Sequence, residues 1–309
     1  MATSSKRSDV TRSLLLYTPA ALTILALVAV PLLIMGHISL LDRGVNGGVS
    51  WHSDFSFKAY RSFLWEEDLD GQMVLNAAYL RTFARSLGQA AFTTILCFLL
   101  GFPVALWMSS VDRKWRDAMV LLITIPFWTN LLIRNYAWLI ILREDGFAQR
   151  TVNALWPGDG SVQLLYNNFA VAVGLTYSFL PFMILPIYAT LEKLDWRLVE
   201  AAYDLGANRW GALRRVILPL ALPGIIGGAM LVFIPSLGAY VTPALLGGGK
   251  TLMIGNLIQL QFGPSRNWPF GGALSLILLG MMLVVLVVYA LHRNRRSRAG
   301  AERAAGARP

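Results

Sequence analysis

An uninterrupted run of about 20 apolar residues constrains a chain more than any other feature, because a helix of that length crosses the hydrocarbon core of a bilayer. Inside that core the backbone has no water to bond. A helix, which satisfies its own N–H and C=O groups, is therefore the structure such a run adopts. Six predominantly apolar stretches of this length are present, at 14–36, 87–108, 118–142, 169–191, 217–240 and 270–291. The chain of 309 residues is 56% hydrophobic and only 14% charged, where a soluble domain carries about 25% charge. A soluble enzyme, a secreted domain and a disordered chain are excluded. The fold class expected is all-α: a polytopic integral membrane protein with six transmembrane helices. The first run follows Lys6, Arg7 and Arg12, as in a signal peptide. It is longer than the roughly 7–15 residues of a signal-peptide core, so it reads as an uncleaved span.

Six spans place both termini on one side. If that side is the cytoplasm, the inner segments hold 17 Lys and Arg against 8 acids, and the outer segments 9 against 9. Arg134 lies within the third span. This is the positive-inside distribution of an inner-membrane protein with cytoplasmic termini. It accounts for the net charge of +10 without nucleic acid. Arg293, Arg295, Arg296 and Arg298 read as a stop-transfer anchor for lipid headgroups. The expected organisation is a cytoplasmic segment 1–13, one membrane domain 14–291 and a basic tail 292–309. The large outer loop 37–86 carries Trp51, Phe55, Phe57, Tyr60, Phe63 and Trp65, residues of an interfacial belt, and then Glu66, Glu67 and Asp68. That acidic run fits either a site that helps dock a binding protein or an incoming cation, or a solvated face with no contact. One cysteine, Cys97, and three scattered histidines, His37, His52 and His292, suggest no disulfide within the chain and no metal site.

The inner loop 192–216 is the most patterned segment. Asp195 is placed to cap a helix running to Leu205, its carboxylate accepting first-turn N–H groups. Gly206 tolerates positive φ and ends that helix. Asn208 is a second cap, and 212–218 leads into the fifth span. Ala201 and Ala202 keep one side of the helix thin. Glu200 and Asp204, at i and i+4, repel each other and favour a partner with positive charge or hydrogen-bond donors. The pattern alone fits both an amphipathic connector and a docking element.

Glu200-Ala201-Ala202, Gly206 and Val216-Ile217-Leu218-Pro219 resemble the EAA loop of ABC-importer permeases, with Val216 at the usual isoleucine position. Pro126-Phe127-Trp128, Leu132-Ile133-Arg134, Tyr136-Ala137-Trp138, the stretch from Tyr240 to Gly248, that from Thr251 to Ile258, and that from Asn267 to Gly271 are similar to the spermidine/putrescine-type permeases. The resemblance implies that Glu200, Ala201, Ala202, Asp204 and Gly206 belong to a coupling helix seated in a cytoplasmic ATPase subunit. It further implies a second homologous permease, two ATPase subunits and an extracytoplasmic substrate-binding protein. The chain itself is expected to hold no cofactor and to catalyse no reaction. Another small organic solute is the alternative to a polyamine. An ion-coupled transporter would want buried carboxylates, yet no Asp or Glu lies inside any of the six runs. A membrane scaffold would not need the EAA pattern.

Ala244–Thr251, ALLGGGKT, fits a relaxed phosphate-loop pattern with alanine at the first glycine. A phosphate cradle needs a preceding strand and a following helix. Here a membrane span precedes, and Glu302 is the only acid beyond Lys250. The glycines read instead as a turn at the membrane edge, and 251–262 as a segment too short to span. Prolines 126, 181, 186, 219, 223 and 235 mark irregular helices of the kind that line cavities in transporters. Arg134, Tyr136, Trp138, Tyr177 and Tyr240 are the candidates for a path or gate. Arg134 should not bind a cationic amine directly. It is expected either to snorkel near the outer end of its span or to serve a structural or gating role there, pairing with a carboxylate of a partner subunit. The ring faces of Tyr136, Trp138, Tyr177, Phe179 and Tyr240, by contrast, can attract an ammonium group.

Overall fold

The computed structural model describes residues 3–67, 72–155 and 163–306, and the side chains of 18, 19 and 21–291 within them, Glu67 excepted. The helices are α1 (Thr3–Ser39), α2 (Lys58–Leu64), α3 (Ala77–Ser110), α4 (Arg113–Thr124), α5 (Leu131–Leu142), α6 (Phe147–Leu155) and α7 (Asn168–Leu191). They continue with α8 (Arg197–Asp204), α9 (Arg209–Ala212), α10 (Leu218–Leu237), α11 (Val241–Leu246), α12 (Ile254–Phe262) and α13 (Trp268–Gly306). One hairpin, β1 (Trp65–Glu67) with β2 (Met73–Leu75), pairs Trp65 with Leu75 and Glu67 with Met73. The all-α membrane fold expected from the apolar runs is the fold observed. Among the described residues five helices are long and apolar enough to cross a membrane, or six when the bent pair is counted as one span.

The residues group into two compact units. The first comprises Met1–Asn76 with Ile258–Pro309. In it α1 packs on α13, where the backbone of Gly272 lies so near Met35 O that a β-carbon would come within 3.2 Å. Ser39, fully buried, donates to Gly36 O at 2.7 Å and shares a 2.8 Å hydrogen bond with Tyr60 of α2. Leu27 and Leu33 on α1 and Val284 and Val287 on α13 are exposed, as side chains that meet lipid must be. The side chains of Arg293, Arg295, Arg296 and Arg298, and Asp68 entirely, lie outside the described residues. Glu66 accepts from Asn76 Nδ2 at 2.7 Å, so this acid ties the hairpin to the start of the next segment.

The second unit, Ala77–Leu257, is built on α3, α7 and α10. Gly224 and Gly228, four residues apart on α10, bring its backbone against α7. A β-carbon at Gly228 would sit 2.9 Å from Met183 Sδ, and one at Gly224 would overlap Thr190 and Pro186 O. Small residues at this spacing are what lets membrane helices approach closely. Met183, Ile187, Met108 and Val232 fill the resulting core.

The third apolar run departs from the single span expected over 118–142. It is two helical segments bent by 91°. α4 runs into a 3₁₀ turn, Ile125–Trp128, and Asn130 then starts α5 by accepting from Leu132 N at 2.8 Å. Pro126 has no N–H for the helical ladder, and the Asn130 carboxamide offers the next turn a new start. Between α9 and α10 lies one π turn, Leu213–Ile217, closed by a Leu218 N–H to Leu213 O bond. Pro219 follows immediately. In an α-helix its ring would crowd the carbonyl of Arg215, four residues back, and the wider turn relieves that clash.

Candidate functional site

The loop 192–216 folds locally as its sequence dictates. Asp195 Oδ1 accepts from Arg197 N at 3.1 Å at the entry to α8, one residue before its N-cap position Trp196. Gly206 ends it at φ +82°. Its N–H bonds Tyr203 O at 2.9 Å, and Ala207 N–H bonds Ala202 O at 2.9 Å. These two bonds form a Schellman close, which needs a residue in the left-handed region at this position. Asn208 Oδ1 then accepts from Gly211 N at 2.7 Å and starts α9.

The two faces of α8 differ. Val199 is buried and belongs to the same apolar cluster as Met108 of α3, Leu191 of α7 and Ile217 of the π turn. On the other side Glu200, Ala201 and Asp204 are exposed and Ala202 is half-buried. Neither acid has an ion-pair partner among the described residues. Leu205 is 89% exposed and Trp210 67%. Composition and pattern did not single out this apolar pair. The signal was present: two large apolar residues flank a Gly206-Ala207-Asn208 turn that neither can bury.

A second feature lies against α5. Arg134, Phe127, Phe179, Phe182 and Tyr240 line a cavity of about 420 Å³ together with Thr242. Arg134 is the one charged residue in its lining, and its Nε and Nη1 are buried with no hydrogen-bond partner among the described residues. Phe127 and Phe182 meet edge to face at 4.8 Å. The structure therefore brings together two of the five predicted path residues, Arg134 and Tyr240. Trp138 and Tyr177 instead pack on each other at 5.7 Å. Tyr136, two residues from Arg134, points to the far side of the helix and is 52% exposed. Phe127, Phe182 and Thr242 were not predicted for this site, because no local spacing marks residues that only the packing of α5, α7 and α11 assembles.

The glycine-rich segment is a turn. α11 ends at Leu246, Gly248 and Gly249 take positive φ, and a helix rather than a strand runs directly into them. The chain is then pinned to α3 by Arg85 Nη1 to Lys250 O at 3.1 Å and by Ile254 N to Ser86 Oγ at 2.8 Å. Asn256 Nδ2 closes it on Tyr240 O at 2.7 Å. The following α12 has 9 residues, too few to span.

The chain belongs to the family described as binding-protein-dependent transport system inner membrane component, which it matches over residues 98–298. It is a membrane permease subunit, not an enzyme. It is 43% identical over 216 residues to the spermidine/putrescine transport system permease protein PotB of Haemophilus influenzae, covering 70% of this chain and 76% of that one. It is 41% identical over 218 residues to the protein of the same name from Escherichia coli strain K12, covering 70% and 78%. In structure it is similar to a chain of a bacterial ABC transporter involved in the import of the acidic polysaccharide alginate. That likeness has a TM-score of 0.68 at 17% identity, over 94% of this chain and 99% of the other, and it is one of fold.

Proposed function

We propose that this chain is the permease subunit of a polyamine importer of the inner membrane, with both termini in the cytoplasm. It contributes half of a translocation path completed by a second, homologous permease. An extracytoplasmic binding protein delivers spermidine or putrescine, and two cytoplasmic ATPase subunits drive release. The identity of about two residues in five to relatives named for these substrates supports the polyamine assignment. Over the three parts of the chain proposed from its sequence, 1–13, 14–291 and 292–309, only the middle one carries the path.

The observation that carries the coupling role is the two-faced α8. Glu200, Asp204, Leu205 and Trp210 present two acids and two large apolar groups outward, a surface suited to a groove on a protein. An apolar pair exposed beside charges is the composition of an interface centre with a polar rim. Val199, on the inward side, is buried and belongs to an apolar cluster that also holds residues of three spans. Close-packed cores transmit displacement with little compression. A push on α8 therefore reaches α3, α7 and α10 through the π turn and the cluster that Val199 joins, and the Gly206 close fixes the angle at which the push is received. The path itself runs beside α5, α7 and α11, where ring faces of Phe179 and Tyr240 can attract a passing ammonium group.

The test is reconstitution. The chain is purified with its genomic neighbours and assayed in proteoliposomes for labelled spermidine uptake and for binding-protein-stimulated ATP hydrolysis. Uptake dependent on ATP and on the binding protein is expected. Purification without a stoichiometric ATPase, or uptake driven by an ion gradient alone, would overturn the assignment.

A further inference from the structure

α5 is nearly bare. Only Asn135 and Leu142 of its 12 residues are buried, while Ile133 is 67% exposed, Tyr136 52% and Ile140 59%. In a membrane such a helix is covered by lipid or by another protein. Arg134 decides between them. Its Nε and Nη1 are shielded from solvent and have no acceptor among the described residues, and no Asp or Glu lines the cavity they face. A guanidinium held this way within a span is costly unless an anion meets it, and lipid tails supply none. An amine substrate is repelled by it. What fits is a carboxylate on a protein surface that also covers the apolar side chains of α5. A guanidinium is built to accept it, with several donors fixed in one plane.

We propose that the Arg134 cavity receives an Asp or Glu side chain of the second permease subunit, forming a buried ion pair across the permease–permease interface. The proposal rests on the importer reading, which supplies the second permease. The pair sets the register of the two subunits and keeps the cavity neutral while a polycation passes.

The complex is expressed whole, with this chain tagged. The recovery of the second permease in mild detergent is measured beside the thermal unfolding of the tagged full-length chain alone. Arg134→Gln is expected to lower recovery about tenfold or more, as loss of one member of a buried pair does. The same substitution is expected to raise the unfolding temperature of the lone chain, because there it removes a half-buried charge whose Nε and Nη1 have no acceptor among the described residues. A merely structural role would lower both. Arg134→Glu should also abolish recovery. It should be restored when one membrane-region acid of the second permease, found by replacing them singly with Arg, is reversed. Wild-type recovery with Arg134→Gln overturns the proposal, and so does a loss with Arg134→Glu that no reversal relieves. If added sodium chloride raises the unfolding temperature of the wild-type lone chain but not of Arg134→Gln, the site belongs to a small anion and the proposal falls. Recovery is read without transport. A complex that assembles through Arg134 but carries no spermidine would refute the substrate assignment and leave this one standing.

Discussion

Gly206→Val tests the coupling loop at its hinge. Gly206 sits at φ +82°, and nothing lies within 4 Å of the position a β-carbon would take. Crowding from neighbours therefore contributes nothing, and the cost is the backbone conformation alone. A β-carbon in the left-handed region costs about 1–2 kcal/mol, and branching puts Val at the upper end. The alternative is to leave that region. Doing so gives up the Gly206-to-Tyr203 and Ala207-to-Ala202 bonds, each worth about 0.5–1.5 kcal/mol net. Both routes cost about the same. A penalty of one to two kcal/mol reduces the population of the native loop about 5- to 30-fold. Leu205 and Trp210 are then re-aimed relative to Val199, while no span is touched. The expected result is normal membrane insertion, weakened ATPase association, and hydrolysis that no longer drives uptake. Gly206→Asn separates conformation from size, because Asn visits the left-handed region and should keep most of the coupling. Wild-type uptake and stimulated ATP hydrolysis in Gly206→Val, at equal expression, would show that the loop is a connector and that the coupling argument is wrong.

Two further outcomes check the orientation and the docking surface. A reporter active only in the cytoplasm should be active when fused after Arg197 and silent after Arg61, and the reverse pattern would remove α8 from the reach of any cytoplasmic ATPase. Leu205→Ala and Trp210→Ala should each weaken co-purification of the ATPase by about 1–3 kcal/mol, the range of a central aromatic or aliphatic anchor. Unchanged recovery in the double variant would place the groove elsewhere on the loop.

The loop was legible in the sequence because its determinants are local. Asp195, Gly206 and Asn208 act on backbone groups two or three residues away, and their bonds are those the residue types imply. The fourth apolar run was likewise legible, 169–191 against α7 at Asn168–Leu191, since length and hydropathy alone fix such a span. The third was not. Hydropathy averages over the 91° bend because both limbs are apolar, and only Pro126 and Asn130 mark the break. The partnership of Arg134 with Phe182 and Thr242 could not be read locally, since it joins three helices distant in sequence. The same holds for Glu66, whose carboxylate is engaged by Asn76 across the hairpin.

The π turn at Leu213–Ile217 means that span and loop are counted out of phase. A π turn holds one residue more than the α turn it replaces, and one residue of α-helix corresponds to about 100° of rotation. The direction in which Leu205 and Glu200 face is thus set partly by the number of residues before Pro219. Losing one residue there would anneal the turn into continuous α-helix instead of breaking the span. Deletion of Leu213 should consequently yield a subunit that inserts and folds, with its loop swung away from the ATPase and its hydrolysis idle. A fully coupled transporter from that deletion would show that the loop finds its facing by other means. Across relatives, gain or loss of a single residue at this point would act as a change of gear, altering which ATPase surface the loop can meet without altering what the membrane helices carry.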